Sequence, residues 1–193
     1  MIFQIVAVAI LIVFYGCYVV KLLSQKRKGI QTDQIGKGKV GFVKAVELTM
    51  KLAAVLVFIA GVVSIFVGTS VSSIPLRIIG AAVSVAGTSL FILSVLTMRD
   101  NWRAGVPAGD KTELVTDGIY QISRNPAFLG FDLLYVGILM MFFNWTICAA
   151  SVFAIVMYHL QIVNVEEDHL LAAFGDEYLK YKKKVRRYIG RKR

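Results

Sequence analysis

Apolar stretches of membrane-crossing length, separated by short segments that hold most of the charge, constrain this chain more than any motif does. A helix crosses the hydrocarbon core with about 20 apolar residues and satisfies its own backbone there. Ile2–Leu23 meets that requirement, with Gln4 and Lys21 near its ends. Ala45–Val67 meets it with Lys51 a turn or two inside, where an ammonium can snorkel to the surface. Ile74–Met98 is the third such stretch. Ser72 and Ser73 are placed to cap it, and Pro75 falls in its first turn, where a missing N–H costs nothing. Ala127–Phe143 and Trp145–Val163 are separated by little more than Asn144, so they must form a tight antiparallel hairpin. The expectation is an all-α polytopic bundle of five spans. At 57% apolar residues, a water-soluble fold of this size would lack polar surface.

Charge sets the orientation. Lys26, Arg27, Lys28, Lys37, Lys39 and Lys44 lie between the first two spans. Arg99, Arg103, Lys111 and Arg124 lie between the third and fourth, and nine more basic residues come after Asp176. The connections at Thr69–Ser73 and Asn144 carry none, and only Arg77 lies near that side. With the N-terminus outside, all three basic stretches face the cytoplasm, and five spans bring the C-terminus to the same side. A formal charge of +10 then reads as orientation and attraction to anionic lipid headgroups, not as nucleic-acid binding. No cleavable signal is evident, and a prokaryotic inner membrane is the default location. Cys17 and Cys148 sit in apolar segments without metal-ligand or CxxC spacing, which gives no metal site.

Small residues recur at packing intervals: Ala60, Ser64 and Gly68, then Gly80, Ser84 and Gly87, then Gly130 and Gly137. Such spacing lets helix backbones approach closely in lipid. Residues 1–98 hold three spans with little polar information. Residues 99–193 hold a polar loop, the hairpin and a charged tail in which Leu170, Leu171, Phe174, Tyr178, Tyr181, Val185 and Tyr188 keep helical spacing. Gly175 marks a break there, and Asp176 can cap a second helical stretch. On periodicity alone the tail either folds back over the membrane face or lies on it.

Candidate chemistry gathers in the second part. The loop after Asp110 is too apolar, at Leu114, Val115, Ile119, Tyr120 and Ile122, for a free linker. Pro126 keeps Asn125 extended and opens the fourth span, so Arg124 and Asn125 sit at a helix N-terminus that favours anionic groups. The fifth span ends in Glu166, Glu167, Asp168 and His169, and the hairpin returns these acids to the face that holds Arg124. A pairing of Arg124 with Glu166 or Glu167 is consistent with that topology, although an ordinary helix junction and a solvated acidic turn account for the same residues. Asp132, inside the fourth span, must face the bundle interior or a polar cavity. His159 reads as a packing donor, and His169 has no evident partner. Neither a nucleophile elbow nor a phosphate loop is present.

The segment LVTDGIYQISRNPAFLGF, succeeded after the hairpin by EEDHLLAAFGDEYLKYKKKVRRYI, resembles the isoprenylcysteine carboxyl methyltransferase and phospholipid methyltransferase group of membrane enzymes. The resemblance covers about Leu114–Arg187. It implies a cytoplasm-facing pocket for S-adenosyl-L-methionine built from these segments. It places Leu114, Val115 and Tyr120 beside the cofactor, lines the pocket with Asn125, Pro126, Ala127 and Phe128, and matches Glu166 to an acid that contacts ligand. The group's pattern differs here at Asn125 (His), Phe128 (Tyr) and Gly190 (Pro). Ile162 stands where the prenylcysteine enzymes carry an Arg for the substrate carboxylate, which argues against prenylcysteine as acceptor.

The expected function is methyl transfer from S-adenosyl-L-methionine to a lipophilic acceptor that arrives laterally from the bilayer. Arg124 would pair with an acid or an acceptor anion. Glu166 and Glu167 would bind the cationic end of the cofactor or orient the acceptor, and Glu167 would take the proton from an amine. A carboxylate acceptor needs no base. Two alternatives stay open. One is an NADPH-dependent membrane reductase, with Lys111 and Arg124 for the 2′-phosphate. The other is a non-catalytic membrane protein whose site has degenerated at Asn125 and Phe128.

Overall fold

A computed structural model describes residues 1–68, 71–106 and 112–192. Lys111, Asp110, the Thr69–Ser70 part of the uncharged turn and Arg193 lie outside the described residues. The helices are α1 (Ile2–Arg27), α2 (Gly41–Val67), α3 (Ile74–Met98), α4 (Pro126–Met141), α5 (Trp145–Gln161) and α6 (Glu167–Lys184). A π-helical turn, Ile162–Glu166, joins α5 to α6. Helices α1, α2 and α3 and the helical stretch that begins with α5 at Trp145 are long and apolar enough to cross a membrane, so this is an integral membrane protein. The fourth expected span is shorter than the rest. Helix α4 has 16 residues, about 24 Å at the helical rise, against a hydrocarbon core of about 30 Å.

Helix α4 compensates by pressing backbone to backbone against α3. A Cβ added at Gly87 would stand 2.7 Å from the Gly130 carbonyl oxygen, and one at Gly80 would stand 2.6 Å from that of Gly137. Only glycine permits this approach, and two of the three packing sets seen in the sequence, Gly80–Ser84–Gly87 and Gly130–Gly137, form the α3–α4 seam. Helix α2 pairs chiefly with α5, and α1 with α3. The core between them is aromatic: Phe14 stacks on Phe91 with ring centroids 4.4 Å apart, and Phe131 meets both rings edge-on.

Local signals at the helix ends fare unevenly. Pro75 and Pro126 open their helices as expected. Ser73 occupies the cap position of α3, but its hydroxyl makes no cap bond. Asn144 caps α5, its side chain accepting from the Ile147 amide at 3.1 Å.

The basic connections gather at one end of the bundle. There Lys21 donates to the Arg99 carbonyl at 2.5 Å and Lys28 pairs with Asp100 at 2.7 Å. At the other end Gln4 donates to the Ile65 carbonyl and Asn144 to the Ser64 hydroxyl, each at 2.8 Å.

Candidate active site

A cavity of about 410 Å³ opens at the basic end, a volume within the range of small-molecule sites, roughly 300–1,000 Å³. Leu114, Val115, Tyr120, Asn125, Ala127 and Phe128 line it, from the loop and the start of α4. Arg124 and Glu166 line it too. Pro126 does not: it is buried as the first residue of α4 and holds its neighbours in place. The cavity runs inward past Phe131 to Tyr135, nine residues along α4 from Pro126 and thus about 14 Å deep. Its wall on α2 includes Val55 and Phe58, whose side chains also reach the bundle exterior.

Where the π turn meets α6, the two adjacent glutamates go to different places. Such a turn fits an extra residue into a helix and re-aims the side chains beyond it. Glu166 faces the cavity and makes no hydrogen bond or ion pair among the described residues. Burial, with the charge of Glu47 adding to it and Lys39 opposing, pushes its carboxyl up to about 7. Glu167 instead lies behind the cavity wall. Its Oε1 accepts from Arg124 at 3.0 Å and from Arg187 at 2.7 Å, and its Oε2 from Lys182 at 2.8 Å. Burial alone would raise its carboxyl; these donors outweigh it and bring the group down to about 2. A carboxylate so held is a poor proton acceptor, which weighs against the expected use of Glu167 as a base.

Arg124 is the matching anchor. It donates to Tyr178 Oη at 2.6 Å as well as to Glu167, while its Nε is buried with no partner among the described residues. Of the two pairings the topology allowed, the structure forms the one with Glu167.

The tail folds back. At Gly175 the chain takes φ 48°, a conformation that a residue with a Cβ rarely adopts, and the second half of α6 turns over the loop. Tyr178, Tyr181 and Val185 pack with Tyr120 into a small second core, against Leu114, Val115 and Phe174. Backbone bonds complete the clamp, from the Arg124 amide to the Arg186 carbonyl at 3.1 Å and from the Gly190 amide to the Ile122 carbonyl at 2.8 Å. Asn125 spends its amide on the same clamp, donating to the Arg187 carbonyl at 3.1 Å. His159 meets the tail as well, its Nδ1 2.6 Å from Tyr188 Oη.

Sequence reading missed the contribution of the first three helices. Glu47 of α2 is fully buried. It takes the Lys39 ammonium, the Gly36 amide at 2.5 Å, the Val106 amide at 3.3 Å and Gln161 at 3.4 Å, and so ties both connecting loops to the end of α5. Tyr15, Tyr18, Asp33 and Lys51 line the cavity from α1, its adjoining loop and α2. The one signal in the sequence was an acid in the second turn of an apolar helix. His169 lines the cavity mouth, and Asp132 keeps a buried carboxylate oxygen with no partner among the described residues.

With this geometry established, comparison with known proteins is decisive for the family. A family model described as phospholipid methyltransferase matches residues 76–177, which is just over half of the chain. The chain belongs to this family. The match begins in α3, earlier than the resemblance at Leu114 suggested. That fits the α3–α4 seam, since α4 has no place without α3. Curated relatives include protein-S-isoprenylcysteine O-methyltransferases. The one from Schizosaccharomyces pombe is 38% identical over 74 residues, covering 37% of this chain and 30% of that protein. The human one is 32% identical over 114 residues, covering 57% of this chain and 39% of that protein. The chain therefore spans 30–39% of the length of the curated relatives it matches. Within the family region Ile162 is fully buried and does not line the cavity.

Proposed function

We propose that this phospholipid methyltransferase family member transfers a methyl group from S-adenosyl-L-methionine to a lipophilic acceptor. The site would face the cytoplasm, with the N-terminus outside and the basic end inside. One observation carries the reading: segments far apart in sequence, Leu114–Tyr120, Arg124–Phe128 and Glu166, meet around a single cavity that continues into the apolar bundle.

The residues suit the cofactor. Leu114, Val115 and Tyr120 offer apolar and aromatic surface for a nucleoside, and the unpaired Glu166 offers negative charge for a cationic methionine end. When bound, the cofactor supplies a methyl carbon on a positively charged sulfur, open to in-line displacement. What remains for the chain is to position the partners and exclude water. The Arg124–Glu167 anchor holds the Asn125–Phe128 wall and the tail in register. We assign it a positioning role and leave the contact with cofactor to Glu166. Three cations hold Glu167 in that anchor, so where an acceptor must lose a proton, the cavity-facing Glu166 is the carboxylate placed to take it.

The reductase alternative loses support because Arg124, one of its two candidates for a 2′-phosphate, is engaged by Glu167 and Tyr178. Titration calorimetry of the detergent-purified protein with S-adenosylmethionine, S-adenosylhomocysteine and NADPH tests the reading. The first two should bind, and Glu166→Ala should weaken S-adenosylmethionine most, because it carries the extra charge. Selective NADPH binding, or no binding, overturns the assignment.

A further inference from the structure

Three phenol hydroxyls meet at the inner end of the cavity, each from a different helix. Tyr15 Oη of α1 lies 3.3 Å from Tyr135 Oη of α4, which lies 3.2 Å from Tyr158 Oη of α5. All three residues line the cavity, and Tyr135 and Tyr158 are otherwise buried. Each hydroxyl carries one hydrogen and can accept two bonds. Two contacts use two hydrogens, however the donors are assigned. One hydrogen is always left over. Among the described residues none of the three hydroxyls has any further hydrogen-bond partner.

A spare O–H facing an apolar stretch of cavity wall gains by meeting an accepting oxygen there. The surroundings here are rings: Phe58 packs 4.8 Å from Tyr15, and Phe128 and Phe131 lie 5.4 and 5.6 Å from Tyr158. Tyr135 and Tyr158 stack nearly parallel, at 19° and 6.2 Å between centroids. Phe128 belongs to the Asn125–Phe128 wall on the cofactor side, so the hydroxyls begin one ring beyond it.

We propose that the Tyr15–Tyr135–Tyr158 hydroxyls take a hydrogen-bond-accepting oxygen of the acceptor, conjugated to a flat ring or carbonyl system that the aromatic walls enclose. A plain hydrocarbon segment, isoprenoid or acyl, would leave the spare hydrogen without a partner at that point. This deepens the methyltransferase reading and rests on the cavity being its acceptor site. The three tyrosines select the acceptor, and neither their rings nor their hydroxyls take part in the transfer itself.

The test uses the full chain in detergent and two probes of matched shape, para-dodecylacetophenone and para-dodecylisopropenylbenzene, which replaces the carbonyl oxygen with CH₂. By calorimetry the ketone should bind about tenfold more tightly, the factor that one net hydrogen bond supplies. Infrared difference spectra should show its carbonyl stretch lowered on binding. Replacing all three tyrosines by Phe keeps the rings, and it should erase both the preference and the shift while S-adenosylhomocysteine still binds. Equal affinity of the two probes for the unaltered protein overturns the proposal, whether or not the triple variant folds. So does a carbonyl stretch that does not move. Loss of S-adenosylhomocysteine binding by the unaltered protein, with the ketone preference intact, would instead remove the methyltransferase reading and leave the oxygen site standing.

Discussion

Arg124 and Glu167 are 43 positions apart and meet at 3.0 Å, both buried, where the loop before α4 crosses the start of α6. The contact joins the two strands of sequence that carry the family pattern. Tyr178 completes it from the far side of the Gly175 break. One guanidinium therefore links the start of the fourth helix, the end of the fifth and the folded-back tail.

The losses from removing the two partners of this buried pair should not add. Glu167→Leu leaves Arg124 charged and buried, a loss of about 3 kcal/mol. The double variant Arg124→Leu with Glu167→Leu should lose clearly less than the two single losses combined. Thermal unfolding in detergent reads this, and additive losses would mean that the two groups do not interact.

The clamp should resist mild acid. Glu167 is held at about 2, below its unfolded value of 4.5. Its contribution is therefore fully present above pH 4.5 and is lost as pH falls through 2. Protection of the Arg124 and Gly190 amides from hydrogen exchange, taken relative to the intrinsic rate at each pH, should stay high at pH 5 and fall in stronger acid. In Glu167→Gln that acid-dependent step should be absent. Protection already lost near pH 6 would contradict the assignment.

Cofactor affinity should track Glu166 in the opposite sense. Its carboxyl titrates near 7, so it gains the charge that attracts a cationic methionine end as pH rises through that value. Calorimetry between pH 6 and 8 should show S-adenosylmethionine binding tighten, by at most about tenfold per pH unit. Glu166→Gln should bind weakly with a flat profile, and a flat profile in the unaltered protein would remove Glu166 from the contact.

Two glycines should separate cleanly. At Gly87 an added Cβ stands 2.7 Å from the Gly130 carbonyl oxygen and from the Leu134 amide nitrogen, both rigid backbone atoms. Gly87→Ala should destabilise by about 1–3 kcal/mol. At Gly16 nothing lies within 4 Å, and Gly16→Ala should be neutral or stabilise by up to about 1 kcal/mol. Melting temperatures of the two variants give the comparison, and equal shifts would show that the α3–α4 seam can relax.

Hydropathy and turn residues by themselves determined the helical elements, because a backbone in lipid must bond to itself and has few other choices. Ile2, Pro126 and Trp145 mark helix starts within a residue or so of where the sequence puts them. The motif residues marked most of the cavity wall on the α4 side. What only the tertiary structure decided is which polar groups meet. At the end of the π turn Glu166 faces the cavity and Glu167 meets Arg124, although no pattern of neighbouring residues distinguishes the two acids. The three tyrosines read as ordinary members of apolar spans, and their meeting depends on partners more than twenty positions away. Glu47 stood out only as an acid in an apolar helix, and its reach to Val106 and Gln161 is longer still. Periodicity reports which face of a helix is apolar. It carries no record of what another helix brings to that face, and in this protein the chemistry lies in those meetings.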